Sequence, residues 1–263
     1  MIPLSQPTKV LEKTATKGVF EIEALYPGYG VTIGNSLRRV LLSSLEGAAI
    51  TQVRIKGVPH EFSTIPGVIE DVLHVILNLK QMRFILHGQD PQTAILKVKG
   101  EKEVKGSDFV FPPQLELVNK DIPIASLSDK NAELEMEIQV EKGTGYLPVQ
   151  AQKAKKTDIG IILLDAIFTP ARRVNYRVDN MRVGERTDFD RLTIEITTDG
   201  TMSPETALYR AVDILLKEFQ IAISSLQEEE TKLPNAEEKK EKSAKEKKQK
   251  IAKPKKAAKN TKK

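Results

Sequence analysis

The sequence contains no cysteine among its 263 residues. This absence excludes a disulfide framework, a thiolate zinc site, an iron–sulfur cluster and a cysteine nucleophile, and it fits a reducing compartment. The sequence also lacks a basic segment followed by an apolar run at its N-terminus, and no apolar stretch is long enough to span a bilayer. We therefore expect a soluble, cytoplasmic protein with no membrane partner.

Residues that carry catalysis or bind metals are also scarce. The three histidines, His60, His74 and His87, are 14 and 13 residues apart and offer no i, i+4 pair for a metal. The glycines near residue 30 do not complete a phosphate-binding loop, because Ile33 stands where the third glycine of G-x-G-x-x-G is required. We expect no catalytic residue, no metal site, no cofactor and no small-molecule substrate in this chain.

One pair of aspartates, Asp188 and Asp190, leaves two interpretations open. Carboxylates two residues apart on a strand point the same way and could hold magnesium. The pair stands at the start of a predicted strand, directly after Arg186 and Thr187. A role in a turn or on a solvent-facing surface is therefore the favoured interpretation.

The net charge of +5 is unevenly distributed along the chain. Residues 231–263 contain 14 lysines and 4 glutamates, which leaves 27 basic and 32 acidic side chains in residues 1–230. The body is mildly acidic, whereas the basic tail has few apolar residues, a composition typical of disorder. Such a tail either contacts DNA phosphates without sequence preference or serves only to keep the chain soluble.

A short helix is predicted over residues 34–47, where Asn35 can cap the N-terminus and Gly47 suits the position after the C-terminus. Its apolar residues share one face by their i, i+3, i+4 and i+8 spacing. These are Leu37, Val40, Leu41 and Leu45. Arg38 and Arg39 do not belong to this face, and they are either a solvated surface pair or a site presented to another chain.

Hydrophobic periodicity predicts a second helix over residues 69–80 and several strands. Residues 134–140 alternate most clearly between apolar and polar side chains, so one face of that strand should meet water. The other predicted strands are residues 19–25, 50–58, 83–87, 94–99, 173–178 and 192–198. The residues before 17 show no clear period, and we expect them to form a loosely attached arm.

A long C-terminal helix is predicted over residues 204–227, with Ser203 as its cap and Pro204 in its first position. Two seven-residue series, offset by four, form a heptad seam along it. The first series is Leu208, Leu215 and Ala222, and the second is Val212, Phe219 and Leu226. The seam packs either against a helix of the same chain or against a partner. Each large side chain that it buries stabilises the packing by about 1.5 to 3 kcal/mol.

Five segments, in order, resemble the alpha subunit of bacterial and plastid RNA polymerase. They are YGVTIGNSLRRVLLSS at 29–44, HEFSTIPGVIED at 60–71, LNLK at 77–80, GTGYLP at 143–148, and DAIFTPARRVNY at 165–176 running on through RVGERTDFD at 182–190. The resemblance spans about residues 18–227. Because the five segments keep the family's order, the match is highly specific.

The resemblance implies an α+β fold of two domains. A discontinuous dimerisation domain of helices packed on a sheet, residues 1–48 plus 169–230, is interrupted by an inserted, mostly β domain at 49–168, and residues 231–263 form the tail. It also implies a homodimeric scaffold for transcription, not itself catalytic, on which the beta and beta-prime subunits assemble. The catalytic magnesium is then expected in the beta-prime subunit, and the compartment is the cytoplasm of a bacterium or, alternatively, a plastid.

The resemblance also assigns contacts to individual residues. Arg39 is expected to meet the beta subunit, with Arg38 second, because an arginine fork can hold carboxylates bidentately. The helices of 34–47 and 204–227 are expected to pack against their copies in a second subunit. Further contacts with the large subunits are expected from segments 168–178 and 183–191. The residues named for these contacts are Pro170, Arg172, Arg173, Tyr176 and Arg186.

The chain departs from the family after the resemblance ends. Alpha subunits usually continue into a compact helical domain that binds upstream promoter DNA, and the lysine-rich tail stands here instead, so we do not expect recognition through that domain.

Two alternatives remain open, an archaeal or eukaryotic-type counterpart that forms a heterodimer and a basic nucleic-acid-binding module acting alone. Two self-complementary helices in one chain favour the homodimer, and the acidic body argues against the second alternative.

Overall fold

The protein was analysed as a computed structural model that describes residues 5–152 and 160–232, with side chains up to residue 226. The chain divides into two units, Met1–Ile214 and Leu215–Lys263. None of the helices in the described residues is both long and apolar enough to cross a membrane. The lysine-rich tail lies outside the described residues, so the structure does not test its expected disorder.

Four helices are interspersed among fourteen strands in the described part of the chain. The helices are α1 (Tyr29–Ser43), α2 (Val72–Leu79), α3 (Val149–Gln152) and α4 (Pro204–Lys232), with a 3-10 turn at Gly106–Asp108. The strands are β1 (Lys9–Lys13), β2 (Lys17–Leu25), β3 (Glu46–Ile55), β4 (Phe84–Leu86), β5 (Gln92–Lys99), β6 (Lys102–Lys105), β7 (Leu115–Leu117), β8 (Pro123–Leu127), β9 (Glu133–Thr144), β10 (Tyr146–Leu147), β11 (Ile161–Leu163), β12 (Ala166–Ile167), β13 (Ala171–Val183) and β14 (Arg186–Thr198). A mixed α and β composition is thereby confirmed.

Two antiparallel sheets organise the Met1–Ile214 unit. The first has the strand order β1-β2-β14-β13, so it joins the beginning of the chain to strands more than 140 residues later. The second has the order β5-β9-β3-β4-β7, with β11 paired to β3, and draws only on strands between β3 and β11. Two short pairs, β6-β8 and β10-β12, accompany them.

The second sheet carries a large apolar core. Helix α2 contributes Val72, Val75, Ile76 and Leu79 to the core, and alternate residues of β9 contribute from the sheet. The inward residues of β9 are Leu134, Met136, Ile138 and Val140. The alternation predicted for this strand is confirmed, although β9 runs on to Thr144.

The opposite face of β9 meets water, as predicted, and two of its glutamates form ion pairs. Glu135 contacts Lys97 at 2.5 Å and Lys56 at 2.9 Å across neighbouring strands. These two ammonium groups lower the pKa of Glu135 to about 2. Exposed pairs of this kind contribute little to stability but keep a polar face soluble and in register.

Two sequence-based expectations differ from the structure at element ends. The N-terminal arm is not loose, because β1 pairs with β2 in the register Lys9↔Glu21. Helix α2 begins at Val72, because Asp71 accepts a hydrogen bond from the His74 amide at 2.7 Å and so caps the helix. Ile69, predicted to lie within this helix, precedes it and is exposed.

Candidate subunit interface

Helix α1 begins six residues before the predicted cap. Its N-cap is Gly28, whose positive φ of 86° is a conformation that glycine adopts readily. Asn35 therefore lies in the middle of the helix on its exposed side, and Gly47 lies in β3. The assignment of these two residues as helix caps is wrong, since the chain enters and leaves the helix elsewhere.

The N-terminus of α1 is capped by a side chain from the far end of the sequence. The Oδ2 atom of Asp190, on β14, accepts hydrogen bonds from the Gly28 and Gly30 amides, each at 2.9 Å. A carboxylate at this end satisfies amides that have no partner within the helix and interacts favourably with the helix dipole. Asp190 is buried, so the solvent-facing role predicted for it is wrong.

The two aspartates of β14 act separately. Asp188 is exposed and forms a two-pronged ion pair with Arg186, with N···O distances of 3.0 and 2.6 Å. This pairing lowers the pKa of Asp188, whereas Asp190 turns inward to α1. Within residues 5–152 and 160–232, no three acidic or histidine side chains are grouped as a metal would require.

Helix α1 lies very close to the first sheet because its buried face contains two glycines. A Cβ atom on Gly30 would stand 2.8 Å from Cγ1 of Val178, and one on Gly34 would stand 2.7 Å from Cδ2 of Tyr176. Leu37 and Leu41 continue the same face, by the i, i+4, i+7, i+11 spacing of a helix stripe. The helix therefore rests on β13 and β14.

This packing contradicts one prediction for the dimer interface. Leu37, Leu41 and Leu45 are almost completely buried within a single chain, so they offer no surface to a second copy. Val40 is half-buried. The sequence pattern correctly indicated a buried row, but the sheet of the same chain covers it.

The opposite side of α1 presents the two arginines. Arg38 and Arg39 are exposed, together with Val31 and Leu42. Among the described residues, neither guanidinium group has a hydrogen-bond or ion-pair partner. Because the helix is fixed by its glycine and leucine stripe and by Asp190, both charges are held at a defined place on the surface.

The other residues predicted to meet the large subunits have different surroundings. Pro170 is buried and accepts a hydrogen bond from the Asp199 amide, so its predicted surface role is wrong. Arg172 and Arg173 are exposed on β13, and Tyr176 is half-buried against α1. The Arg186 guanidinium is exposed and lies 5.5 and 5.1 Å from the ring centroids of Tyr26 and Phe189.

Helix α4 is buried at its start and exposed farther along. In the Met1–Ile214 unit, Leu208 is buried and Val212 is exposed. In the Leu215–Lys263 unit, Leu215 is half-buried, Phe219 and Leu226 are more than half exposed, and Ala222 is exposed. Further exposed apolar residues of this helix are Leu216, Ile221 and Ile223.

The amino-acid sequence is similar to those of known proteins. Residues 53–169 match the family model described as the RNA polymerase Rpb3/RpoA insert domain. The chain is 46% identical over 228 residues to the DNA-directed RNA polymerase subunit alpha of Aquifex aeolicus, covering 86% of this chain and 72% of that protein. It is 45% identical over 233 residues to the subunit of the same name from Symbiobacterium thermophilum, covering 88% of this chain and 74% of that protein. By these likenesses the chain belongs to the family of alpha subunits of bacterial DNA-directed RNA polymerase.

Proposed function

We propose that this chain is a homodimeric scaffold on which the beta and beta-prime subunits of RNA polymerase assemble in the cytoplasm. It contributes no catalytic residue and no cofactor, and the magnesium of catalysis belongs to the beta-prime subunit. Membership of the alpha-subunit family supports assembly into the polymerase complex. The finer assignments rest on the surfaces described above.

Arg39 is the proposed anchor for the beta subunit, and Arg38 is its neighbour in the same contact. The observation that carries this proposal is a pair of exposed guanidinium groups that have no partner in the described part of the chain, on a helix that the first sheet and Asp190 hold in place. An arginine already bound to an internal carboxylate would have to give up that bond before meeting a partner. A guanidinium group that is already in position and has no internal bond to break can bind a carboxylate or carbonyl without losing an existing interaction.

The test is co-purification of the beta subunit with the Arg39→Ala chain. Truncating one partner of a buried, hydrogen-bonded charge pair costs about 2 to 5 kcal/mol, so capture should fall by about 30-fold or more. Arg54→Ala is a matched control, because Arg54 is equally an exposed arginine but lies on β3. Capture of the beta subunit at wild-type strength by Arg39→Ala would contradict the assignment.

Helix α4 is the proposed contact between two copies of the chain. Its apolar side chains beyond Leu215 are exposed in a single chain, which is unfavourable unless another surface covers them. A symmetric pairing of α4 with its copy would bury the Phe219 and Leu226 side chains from both chains at once. Helix α1 has no leucine row free for this purpose, so we now assign the dimer contact mainly to α4.

Further contacts with the two large subunits are proposed for the first sheet. Segments 168–178 and 183–191 lie largely on β13 and β14, and Arg172 and Arg173 extend from this sheet as exposed side chains. Arg186 is exposed but already bound to Asp188, so it is a weaker candidate.

The discontinuous two-domain arrangement is also part of the proposal. The separation of the strands into two sheets and the match of residues 53–169 to an insert-domain model both support it. Strand β3 begins at Glu46, so the boundary drawn at residue 49 falls inside a strand.

The lysine-rich residues 231–263 are proposed to contact DNA phosphates without sequence preference. Their composition alone supports this, because phosphate binding by lysines releases counterions and weakens as salt rises. Deleting residues 231–263 should therefore reduce retention of the assembled polymerase on DNA, most strongly at low salt. Equal retention by the deleted and full-length chains at low salt would show that the tail only solubilises.

A further inference from the structure

The exposed end of α1 adjoins the short pair of strands β10 and β12. The Thr169 hydroxyl donates a hydrogen bond to the carbonyl oxygen of Leu42 at 3.1 Å. A Cβ atom on Gly145 would lie 2.9 Å from the carbonyl oxygen of Ser43, and the Phe168 amide donates to the Gly145 carbonyl at 2.9 Å. The β10–β12 pair therefore lies directly beside the last turn of α1.

Three large apolar side chains are exposed at this junction. Leu42 is 38% exposed, Tyr146 is 59% exposed and Ile167 is 53% exposed. Tyr146 and Ile167 are direct partners across the β10–β12 pair, and directly opposed residues hold their Cβ atoms about 4.5 to 5.5 Å apart. Leu42 follows Arg39 by three residues, which places the two side chains on neighbouring positions of one helix surface.

The chain beside Tyr146 is held in place by the Asp165 carboxylate. This carboxylate accepts a hydrogen bond from the Val149 amide at 2.9 Å and lies 3.5 Å from Lys80 Nζ. These groups together lower the pKa of Asp165, with the Val149 amide contributing most. A backbone segment fixed in this way loses little conformational freedom when a partner covers it.

Around the junction the negative charges are paired, whereas the two arginines of α1 are not paired within the described residues. The two nearby carboxylates are already bound, Glu46 to Lys142 at 3.1 Å and Asp165 to Lys80. Arg38 and Arg39 have no such partner among the described residues. The unpaired charge beside the apolar side chains is therefore positive, which favours an acidic partner.

We propose that Leu42, Tyr146 and Ile167 form an apolar docking patch for the beta subunit, continuous with Arg39. The segment of the beta subunit that binds this patch carries an aliphatic side chain next to a carboxylate. The aliphatic side chain covers the patch, and the carboxylate binds Arg39. This inference rests on the proposed function, and it extends the contact from one helix to a second structural element. Apolar anchors bordered by a charge are the usual arrangement where a few residues dominate binding.

The first experiment measures capture of the beta subunit by the full-length Ile167→Asp chain. Capture should fall by about tenfold or more, the cost of truncating an anchor of an interface. Val110→Asp is the matched control, since Val110 is 73% exposed and carries no proposed contact. Ile167→Val should retain capture. Wild-type capture by Ile167→Asp, or an equal loss in Val110→Asp, overturns the inference.

A second experiment does not depend on how well a charged variant folds. A photoreactive amino acid at position 167 of the assembled complex should crosslink to the beta subunit, and one at position 110 should not. No crosslink to the beta subunit from position 167 overturns the inference. If Arg39→Ala abolishes capture of the beta subunit but position 167 gives no crosslink, only the docking patch is refuted. If Arg39→Ala captures the beta subunit at wild-type strength, the proposed function itself is refuted.

Discussion

Asp190→Ala is expected to lower the midpoint of thermal unfolding by about 4 to 8 °C. The substitution removes the only acceptor that the structure shows for the Gly28 and Gly30 amides among the described residues, at a buried position. Losing a helix cap and leaving the buried Gly30 amide unsatisfied costs about 2 kcal/mol, and each kcal/mol shifts the midpoint by about 2 to 4 °C for a chain of this size. Circular dichroism during heating measures the effect.

Two further variants define the cause of that loss. Asp190→Asn keeps an acceptor oxygen but loses the charge, so it should recover part of the stability. Asp188→Ala removes the same residue type two positions away, where the side chain is exposed and paired only with Arg186, and should leave the midpoint of thermal unfolding nearly unchanged. An Asp188→Ala loss as large as that of Asp190→Ala would contradict the capping role.

Phe219→Glu is expected to convert a dimer of this chain into monomers. Burying a phenylalanine side chain contributes about 1.5 to 3 kcal/mol, and a twofold interface contains each position twice. The loss of about 3 to 6 kcal/mol weakens dimerisation by about 10²- to 10⁴-fold. Light scattering on the purified chain over a range of micromolar concentrations measures the change.

The adjacent residue supplies the control for the dimer. Gln220→Glu adds the same charge to the next position of α4, which is exposed but polar. This variant should remain dimeric, because it removes no apolar side chain. A wild-type chain that is monomeric at micromolar concentration, or a Phe219→Glu chain that stays dimeric, would refute the assignment of α4 as the contact.

Local pattern was enough to predict the elements that pack by simple alternation or a regular stripe. Strand β9 was predictable because inward and outward residues alternate over its whole central part. Helix α4 was predictable because Ser203 and Pro204 mark its start, and the Thr206 amide indeed donates to the Ser203 hydroxyl oxygen at 3.3 Å. These signals lie within a few residues of the feature that they specify.

The start of α1 could not be predicted, because the features that specify it are not visible in the local sequence pattern. Its first two buried positions are Gly30 and Gly34, which do not count as apolar in a periodic pattern and are typical of turns. The residue that caps the helix, Asp190, is 160 positions away in sequence from Gly30. Only the pairing of β2 with β14 brings the two together, and no local pattern contains that information.

The candidate site was predictable in its position but not in its surroundings. The resemblance singled out Arg39, and the structure places this residue on the exposed face of α1. It did not indicate that Leu37 and Leu41 are covered by the chain's own sheet, because a buried row looks the same whichever surface covers it. Tyr146 and Ile167 showed no signal, since single exposed apolar residues are common on protein surfaces.

The antiparallel pairing of β2 with β14 also sets an order of events during synthesis. Strand β2 leaves the ribosome early, but its neighbour β14 follows roughly 10 to 30 seconds later at ordinary elongation rates. The intervening strands β3 to β12 can pair with one another in that interval, whereas α1 acquires its Asp190 cap only after β14 has been synthesised. A translation product that ends before β14 therefore cannot place this cap on α1.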